Sequence, residues 1–454
     1  MQTAIALKRH FPKFLEMLSS LPDYRKSPDY KTEEVLMAVI AMFLFKRGSR
    51  NSMDNLSRKG RFAANYKRVF GCRLPDMDTC DKLLRKLPQE CLEKLKQEMV
   101  RVLLRRKVFD KFRFDRLYHS VALDGTGLYS FDYEPYPGCP KKTSKSGKTT
   151  YTVYVLEAKI VCSNGVSISI ATEWIRNPEH GNYEKQDCEL KAFVRLAEKL
   201  KKQYPRLPIL LLADGLYPNN TVFDVCRKYG YRFILTFKDG NLKTVWEEVD
   251  FLSSLGRDEQ YKRSEWQERV DFLSRGNKDE HFEKNNRREE HSYRFINNLP
   301  FKTHMLHFVE LNITWEQRIS AEEITHTPEK ERFVHITDIP LSRFNCEKVS
   351  RHGRLRWTIE NEGFNVQKNQ GYGLSHKFSR VSSVATCNYY QCLQIAHMID
   401  QLAYLAGHVR KTYFKDNKET MDSLGEFGLA TLMSMKLGKS KILRLLASIG
   451  QFRY

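Results

Sequence analysis

Three carboxylates, Asp124, Asp214 and Glu360, have the residue types and settings that phosphoryl-transfer chemistry requires. Asp124 follows the apolar run His119–Leu123, Asp214 follows Leu207–Ala213, and Gly succeeds each of them. Both runs read as buried strands whose C-terminal ends present an acid. Strand C-termini gather at one edge of an α/β sheet, so the two acids are expected to converge. Two carboxylates a few ångströms apart repel unless a divalent cation lies between them. Glu360, on a helix, completes a three-carboxylate set. Oxygen donors without His or Cys favour Mg²⁺, with Mn²⁺ as a substitute. Two such ions per site can activate a water or 3′-hydroxyl and stabilise the departing oxygen of a phosphodiester.

Glu360 lies within Arg354–His376, RLRWTIENEGFNVQKNQGYGLSH, which also carries Arg354, Arg356, Lys368 and His376. These four basic residues are assigned to a nucleic-acid backbone. Arg356 and Glu360 stand at i and i+4, hence on one helix face. Blander readings exist for each group. Asp-Gly is a common turn pair. Glu360 with Arg356 could be a surface ion pair contributing about 0.3–0.5 kcal/mol. Glu362 is the alternative ligand, on another face of the helix. Asp187 and Glu189 read as favourable charge at a helix N-terminus. His376 reads as a structural or phosphate-bonding group.

The charge balance agrees with a polyanionic partner. Seventy-six Lys and Arg against 55 Asp and Glu give a net charge of +21 over 454 residues. Such a field attracts nucleic acid first and an acidic membrane surface second. The ten cysteines form no C-x-x-C pair, which argues against a zinc ribbon or knuckle. Their scatter suggests reduced thiols. The N-terminal residues lack a signal-peptide pattern, and the apolar run Val35–Phe45 is too short to span a bilayer. The expected location is cytoplasmic and nucleoid-associated.

Five segments are expected. Residues 1–115 form a basic helical DNA-binding domain, with helices at Phe11–Leu21, Thr32–Phe45, Met77–Leu87 and Gln89–Arg106. There, 26 Lys and Arg stand against 14 Asp and Glu, more than half of the net charge. Residues 116–240 open an α/β core: a strand at 119–124, a mobile basic loop at Cys139–Thr150, and a hairpin turning at Ser163-Asn164-Gly165. A helix at Lys185–Gln203, the Asp214 strand, a helix at Asn219–Tyr229 and a strand at Tyr231–Phe237 complete it. Residues 241–345 form a β-rich insertion with strands at Ser292–Ile296, His304–Thr314 and Arg332–Thr337. Residues 346–410 resume the core with the glutamate helix and a long helix at Val384–Gly407. Residues 411–454 form a basic helical tail, with Leu429, Leu432, Leu437, Ile442 and Leu446 as its apolar positions.

Over about 115–410 the chain resembles insertion-sequence transposases of the DDE superfamily. The resemblance rests on VALDGTGLY at Val121–Tyr129, LLLADGLYPNN at Leu210–Asn220 and RWTIENEGFNVQKNQGY at Arg356–Tyr372. It implies an α/β fold with an RNase H-like mixed sheet, interrupted by the β-rich insertion before the glutamate. Asp124, Asp214 and Glu360 would then be the catalytic triad and metal ligands, acting on terminal inverted repeats and target DNA in at least a homodimer. The subgroup pattern Tyr-x2-Arg-x3-Glu-x6-Lys is met at Arg356 and Glu360. Gly353 replaces the Tyr and Gln367 the Lys, with Lys368 one residue late. Relatives that make DNA hairpins stack a flipped base on a Trp, a role open to Trp266 beside an ordinary core or surface one. The alternatives are a domesticated DNA-binding protein that does not cut, and an RNase H-like nuclease without strand transfer.

Overall fold

A computed structural model describes residues 2–178, 185–275, 280–315, 329–405, 420–438 and 440; side chains at 267–275, 280–287 and 329 are outside the description. The chain forms two compact units, Met1–Leu207 with Trp357–Tyr454, and Pro208–Arg356. The expected segment boundaries lay near 115, 240, 345 and 410.

The first unit begins with seven helices: α1 (Gln2–His10), α2 (Phe14–Ser19), α3 (Thr32–Leu44), α4 (Arg50–Ser57), α5 (Gly60–Phe70), α6 (Met77–Lys86) and α7 (Gln89–Arg105). Side-chain caps at Ser49 and Asp76 accept from backbone N–H groups of Ser52 and Thr79 and start α4 and α6. Every residue of α3 from Glu34 to Leu44 is buried. Four strands follow: β1 (His119–Phe131), β2 (Lys141–Thr143), β3 (Thr149–Val161) and β4 (Ser167–Ile175). β3 pairs antiparallel with each of the other three. The Asn164-Gly165 turn joins β3 to β4 as expected, with Gly165 at φ 90°. The basic tract 139–150 is not simply a loop, because β2 and the start of β3 form a small hairpin within it. Helix α8 (Glu189–Gln203) packs on β3 and β4 through Ala192, Phe193, Leu196 and Leu200.

The second unit pairs β5 (Ile209–Ala213) in parallel with β6 (Arg232–Thr236), joined through α9 (Asn220–Tyr229). After α10 (Lys243–Ser254) come four antiparallel strands: β7 (Glu259–Arg275), β8 (Glu280–Phe301), β9 (His304–Trp315) and β10 (Glu329–Thr337). β10 pairs with β6, so the expected β-rich stretch continues the sheet that carries Asp214. β8 is far longer than the segment Ser292–Ile296 expected for it. Helix α11 (Cys346–Arg354) packs on β10 and β6.

The chain then re-enters the first unit. A wide π-helical turn, Ile359–Asn365, runs into α12 (Val366–Asn369), followed by α13 (Ser383–Tyr404) and α14 (Met421–Ser434). Helix α13 is buried without a break from Ala385 to Ala403 and packs on α1, α3, α6, α7 and β4. Leu432 and Leu437 are buried, whereas Leu429 is half-buried. Ile442 and Leu446 lie outside the described residues. The architecture is mixed α/β. No helix among the described residues is long and apolar enough to cross a membrane.

Helix α13 also buries charge. Asp400 pairs with Lys46 just past the end of α3, and both side chains are essentially inaccessible. Tyr372 donates to the same carboxylate at 2.7 Å and Thr3 at 3.3 Å. Removing one partner of such a pair strands the other charge. Asp400→Asn is expected to lower unfolding free energy by about 3–5 kcal/mol, whereas the double change Lys46→Met with Asp400→Leu costs much less. Urea melts of both variants check this; equal losses would refute it.

Candidate active site

Asp124 does not end its strand. β1 continues seven residues beyond it, in register with β3, so that Asp124 faces Glu157 across the ladder. Asp-Gly turn chemistry loses here to cross-strand pairing, and a register shift comes only between Gly127 and Tyr129. Gly125 has a different reason to be glycine. A Cβ there would lie 2.5 Å from Oε2 of Glu189, at the start of α8, so the missing side chain lets a second carboxylate approach β1 beside Asp124.

Beneath this part of the sheet lies a buried charge network. Lys96 of α7 donates to Ser169 at 2.6 Å and to Thr172 at 2.8 Å, and Thr172 in turn bonds Glu157. Lys159, two residues along β3 from Glu157, is also fully buried, and its Nζ makes no hydrogen bond among the described residues. Burial pulls its pKa down to about 8, helped by Lys96 and opposed by the charges of Glu157 and Asp124. When charged, Lys159 attracts the Asp124 carboxylate as well as that of Glu157.

Glu360 is exposed on the π-helical turn, whose Ile359, Gly363 and Phe364 are buried. That turn packs on β1 and β4. The Phe364 ring centre lies 4.7 Å from Lys159 Nζ. Lys368, at the end of the stretch, donates to Thr126 Oγ1 at 2.9 Å, two residues past Asp124. The first unit thus brings together the segments that bear Asp124 and Glu360. π-helical turns are rare and frequent at functional sites. Glu362 is exposed, its side chain lying against Gly165 of the β3–β4 turn.

Asp214, in the second unit, directly follows β5 as expected. Its Oδ1 accepts from the Leu216 N–H at 2.9 Å, and Lys238, just beyond β6, approaches Oδ2 at 3.9 Å. Gly215 gives room for the Lys238 stem, which would lie 2.6 Å from a Cβ there.

The four basic residues assigned to nucleic acid have separate fates. α11 ends at Arg354, and Leu355-Arg356 form a turn before the chain becomes helical again at Trp357. Arg356 is 7% exposed. Arg354 stacks over Phe333, 4.3 Å from the ring centre. Lys368 is exposed while tethered to Thr126. His376 is exposed, with its pKa lowered by partial desolvation and by Arg380 and Arg50. Trp266 is 71% exposed, which removes the core reading.

Gln367 and Gly353, where the resemblance implies Lys and Tyr, both have steric reasons. Gln367 is fully buried and exchanges two 3.0 Å hydrogen bonds with Gln394 of α13, so the exposed position falls one residue later, at Lys368. At Gly353 a Cβ would lie 2.5 Å from Nε2 of His335. No protein-family model matches the chain. No curated protein matches it either.

Two residues beside Asp124 carried a weaker signal in the sequence. Glu189 reads as a helix-start acid, which it also is. Lys159 interrupts the apolar β3 pattern, and that interruption was the available clue.

Gly353→Ala is expected to lose about 1–3 kcal/mol of stability through overpacking against the His335 ring. Adding His335→Ala recovers part of that loss in urea melts; no recovery would refute the steric account. His335 supplies a pH test as well. Burial, with Arg354 and Arg356, lowers its pKa from 6.5 to about 4. The folded chain therefore holds the ring neutral, while the unfolded chain binds a proton near pH 6.5. The His335 contribution is intact above that value, falls as pH drops, and is lost by about pH 4, a change of about 3 kcal/mol. In His335→Gln the stability–pH slope between those limits flattens.

Proposed function

We propose that the chain is a metal-dependent DNA transposase of the DDE type. It binds the terminal inverted repeats of an element, hydrolyses the phosphodiester at its ends and joins the 3′-hydroxyls to target DNA. One observation carries the proposal: the Asp124 strand packs on the π-helical turn of Glu360, tied across by Lys368 and Thr126, above buried Lys96 and Lys159. Asp214 is the third acid of this reading.

The donor chemistry fits the implied metal, since Asp124, Asp214 and Glu360 offer only carboxylate oxygens, the set that Mg²⁺ or Mn²⁺ prefers. Bound there, two ions would supply Lewis-acid activation of the attacking oxygen and stabilise the leaving one. The residues of the chain do the rest. Glu360 presents its carboxylate at an exposed turn. Arg354, Arg356, Lys368 and His376 are assigned to the DNA backbone, and of these Lys368 and His376 are exposed. The net charge of +21 attracts the duplex in a salt-dependent way. Work on two element ends calls for at least a homodimer in the nucleoprotein complex, in the cytoplasm at the nucleoid.

Purified protein is mixed with DNA taken from either side of its gene, MgCl₂ and a supercoiled target. Cleaved ends and joined products are expected, with activity at background in Asp124→Ala, Asp214→Ala and Glu360→Ala. Binding without cleavage would instead support a non-cutting DNA-binding protein, and cleavage without joined product a nuclease.

A further inference from the structure

β7 and β8 place Glu265 directly opposite Glu289, and His291 follows two residues later on the same face of β8. Like charges directly opposed across a ladder destabilise it. Glu289 is 1% exposed and His291 is buried, while Glu265 is half-buried. His291 Nε2 lies 3.0 Å from Glu289 Oε2 and 3.6 Å from Glu265 Oε1. One ligand atom from each residue falls within 4.8 Å of the others.

We infer that Glu265, Glu289 and His291 form a binding site for one divalent transition-metal ion, such as Zn²⁺, in the second unit. Ligand atoms about 2.0–2.2 Å from a tetrahedral ion lie roughly 3.3–3.6 Å from one another, close to the spacings at the His291 nitrogen. The donor set also discriminates. An imidazole nitrogen beside two carboxylates suits Zn²⁺, Mn²⁺ or Co²⁺, unlike the all-oxygen set proposed for Mg²⁺. Two carboxylates and a neutral imidazole balance the ion's charge. A cavity of about 350 Å³ adjoins the cluster, lined by Glu265, His291, Tyr293 and Leu311 and, from α11, by Glu347, Arg351 and Arg354. It offers room for a water or an anion as the remaining ligand. Arg263 bonds both oxygens of Glu347 at 2.8 Å and stands 3.4 Å from Glu265, and Arg351 pairs with Glu347. The guanidinium of Arg354, stacked on Phe333, favours the anion.

The site does not depend on the proposed reaction, and its test avoids the triad. Full-length Asp124→Ala/Asp214→Ala/Glu360→Ala protein is stripped with chelator and titrated with Co²⁺, then Zn²⁺, in excess Mg²⁺. One equivalent of Co²⁺ is expected to give a visible ligand-field spectrum that Zn²⁺ displaces. X-ray absorption at the bound zinc should show one imidazole in its shell. Glu265→Gln and His291→Gln, each added to that background, should weaken binding at least tenfold. Where either fails to fold, the absorption data on the parent decide. Absence of binding, or a bound ion without imidazole, overturns the inference and leaves His291 as a hydrogen-bonding partner of the carboxylates.

Discussion

The first unit depends on a helix with no exposed face. Helix α13 is buried from Ala385 to Ala403 yet carries Asn388, Gln394, Asp400 and Gln401, none of which can be left unbonded in a dry interior without a cost of about 1–3 kcal/mol each. Each finds a partner on a different element, although Asn388 does so through its Nδ2 alone. Asn388 donates to the carbonyls of Leu84 and Leu87 at the end of α6. Gln394 exchanges hydrogen bonds with Gln367 of α12. Asp400 takes Lys46, and Gln401 accepts from the Ser167 N–H at the start of β4. Apolar packing alone would let these elements slide. The polar bonds fix their register along α13, and α12 continues the turn that bears Glu360.

That constraint also explains the local helix geometry. Gln367 is held inward by Gln394, while Lys368 points toward Thr126 on β1. Phe364 and Gly363 meanwhile lie against Lys159. A segment fixed by its contacts at 363–368 must place Glu360 outward, and the widened turn does so. The exposed lysine at 368, one residue after the buried Gln367, is therefore a consequence of core packing.

Much of this was legible in the sequence, and the parts that were not have a common cause. The strand before Asp214, the Asn164-Gly165 hairpin and the long α13 all follow from apolar pattern and turn chemistry. Asp-Gly at 124–125 has the same local signal as Asp-Gly at 214–215, yet the first continues as strand. The difference is tertiary: β3 pairs with β1 through Asp124 and Gly125, and Glu189 fills the place of a side chain. β2 emerges from a basic tract because β3 offers it an edge. The break at Leu355-Arg356 likewise has no turn residue to announce it. Charges at Lys96 and Lys159 were missed because their value depends on burial, which periodicity around a single strand does not give.

The two units treat buried charge in opposite ways, and the contrast bears on what each can hold. In the first, Lys96 and Lys159 are buried with Glu157 as the first charge that opposes the cost, and Asp124, paired with Glu157 across the ladder, adds to it at Lys159. Removing Asp124 would therefore raise the cost of burying a charged Lys159. In the second, Glu265 and Glu289 oppose each other with His291 between them, and a cation lowers the cost there instead. Neither arrangement minimises electrostatic energy within the protein alone, as an apolar replacement of similar volume would. Groups that are costly when buried persist where another charge answers them, as Glu157 and Asp124 do for Lys159 and Arg263 does for Glu265.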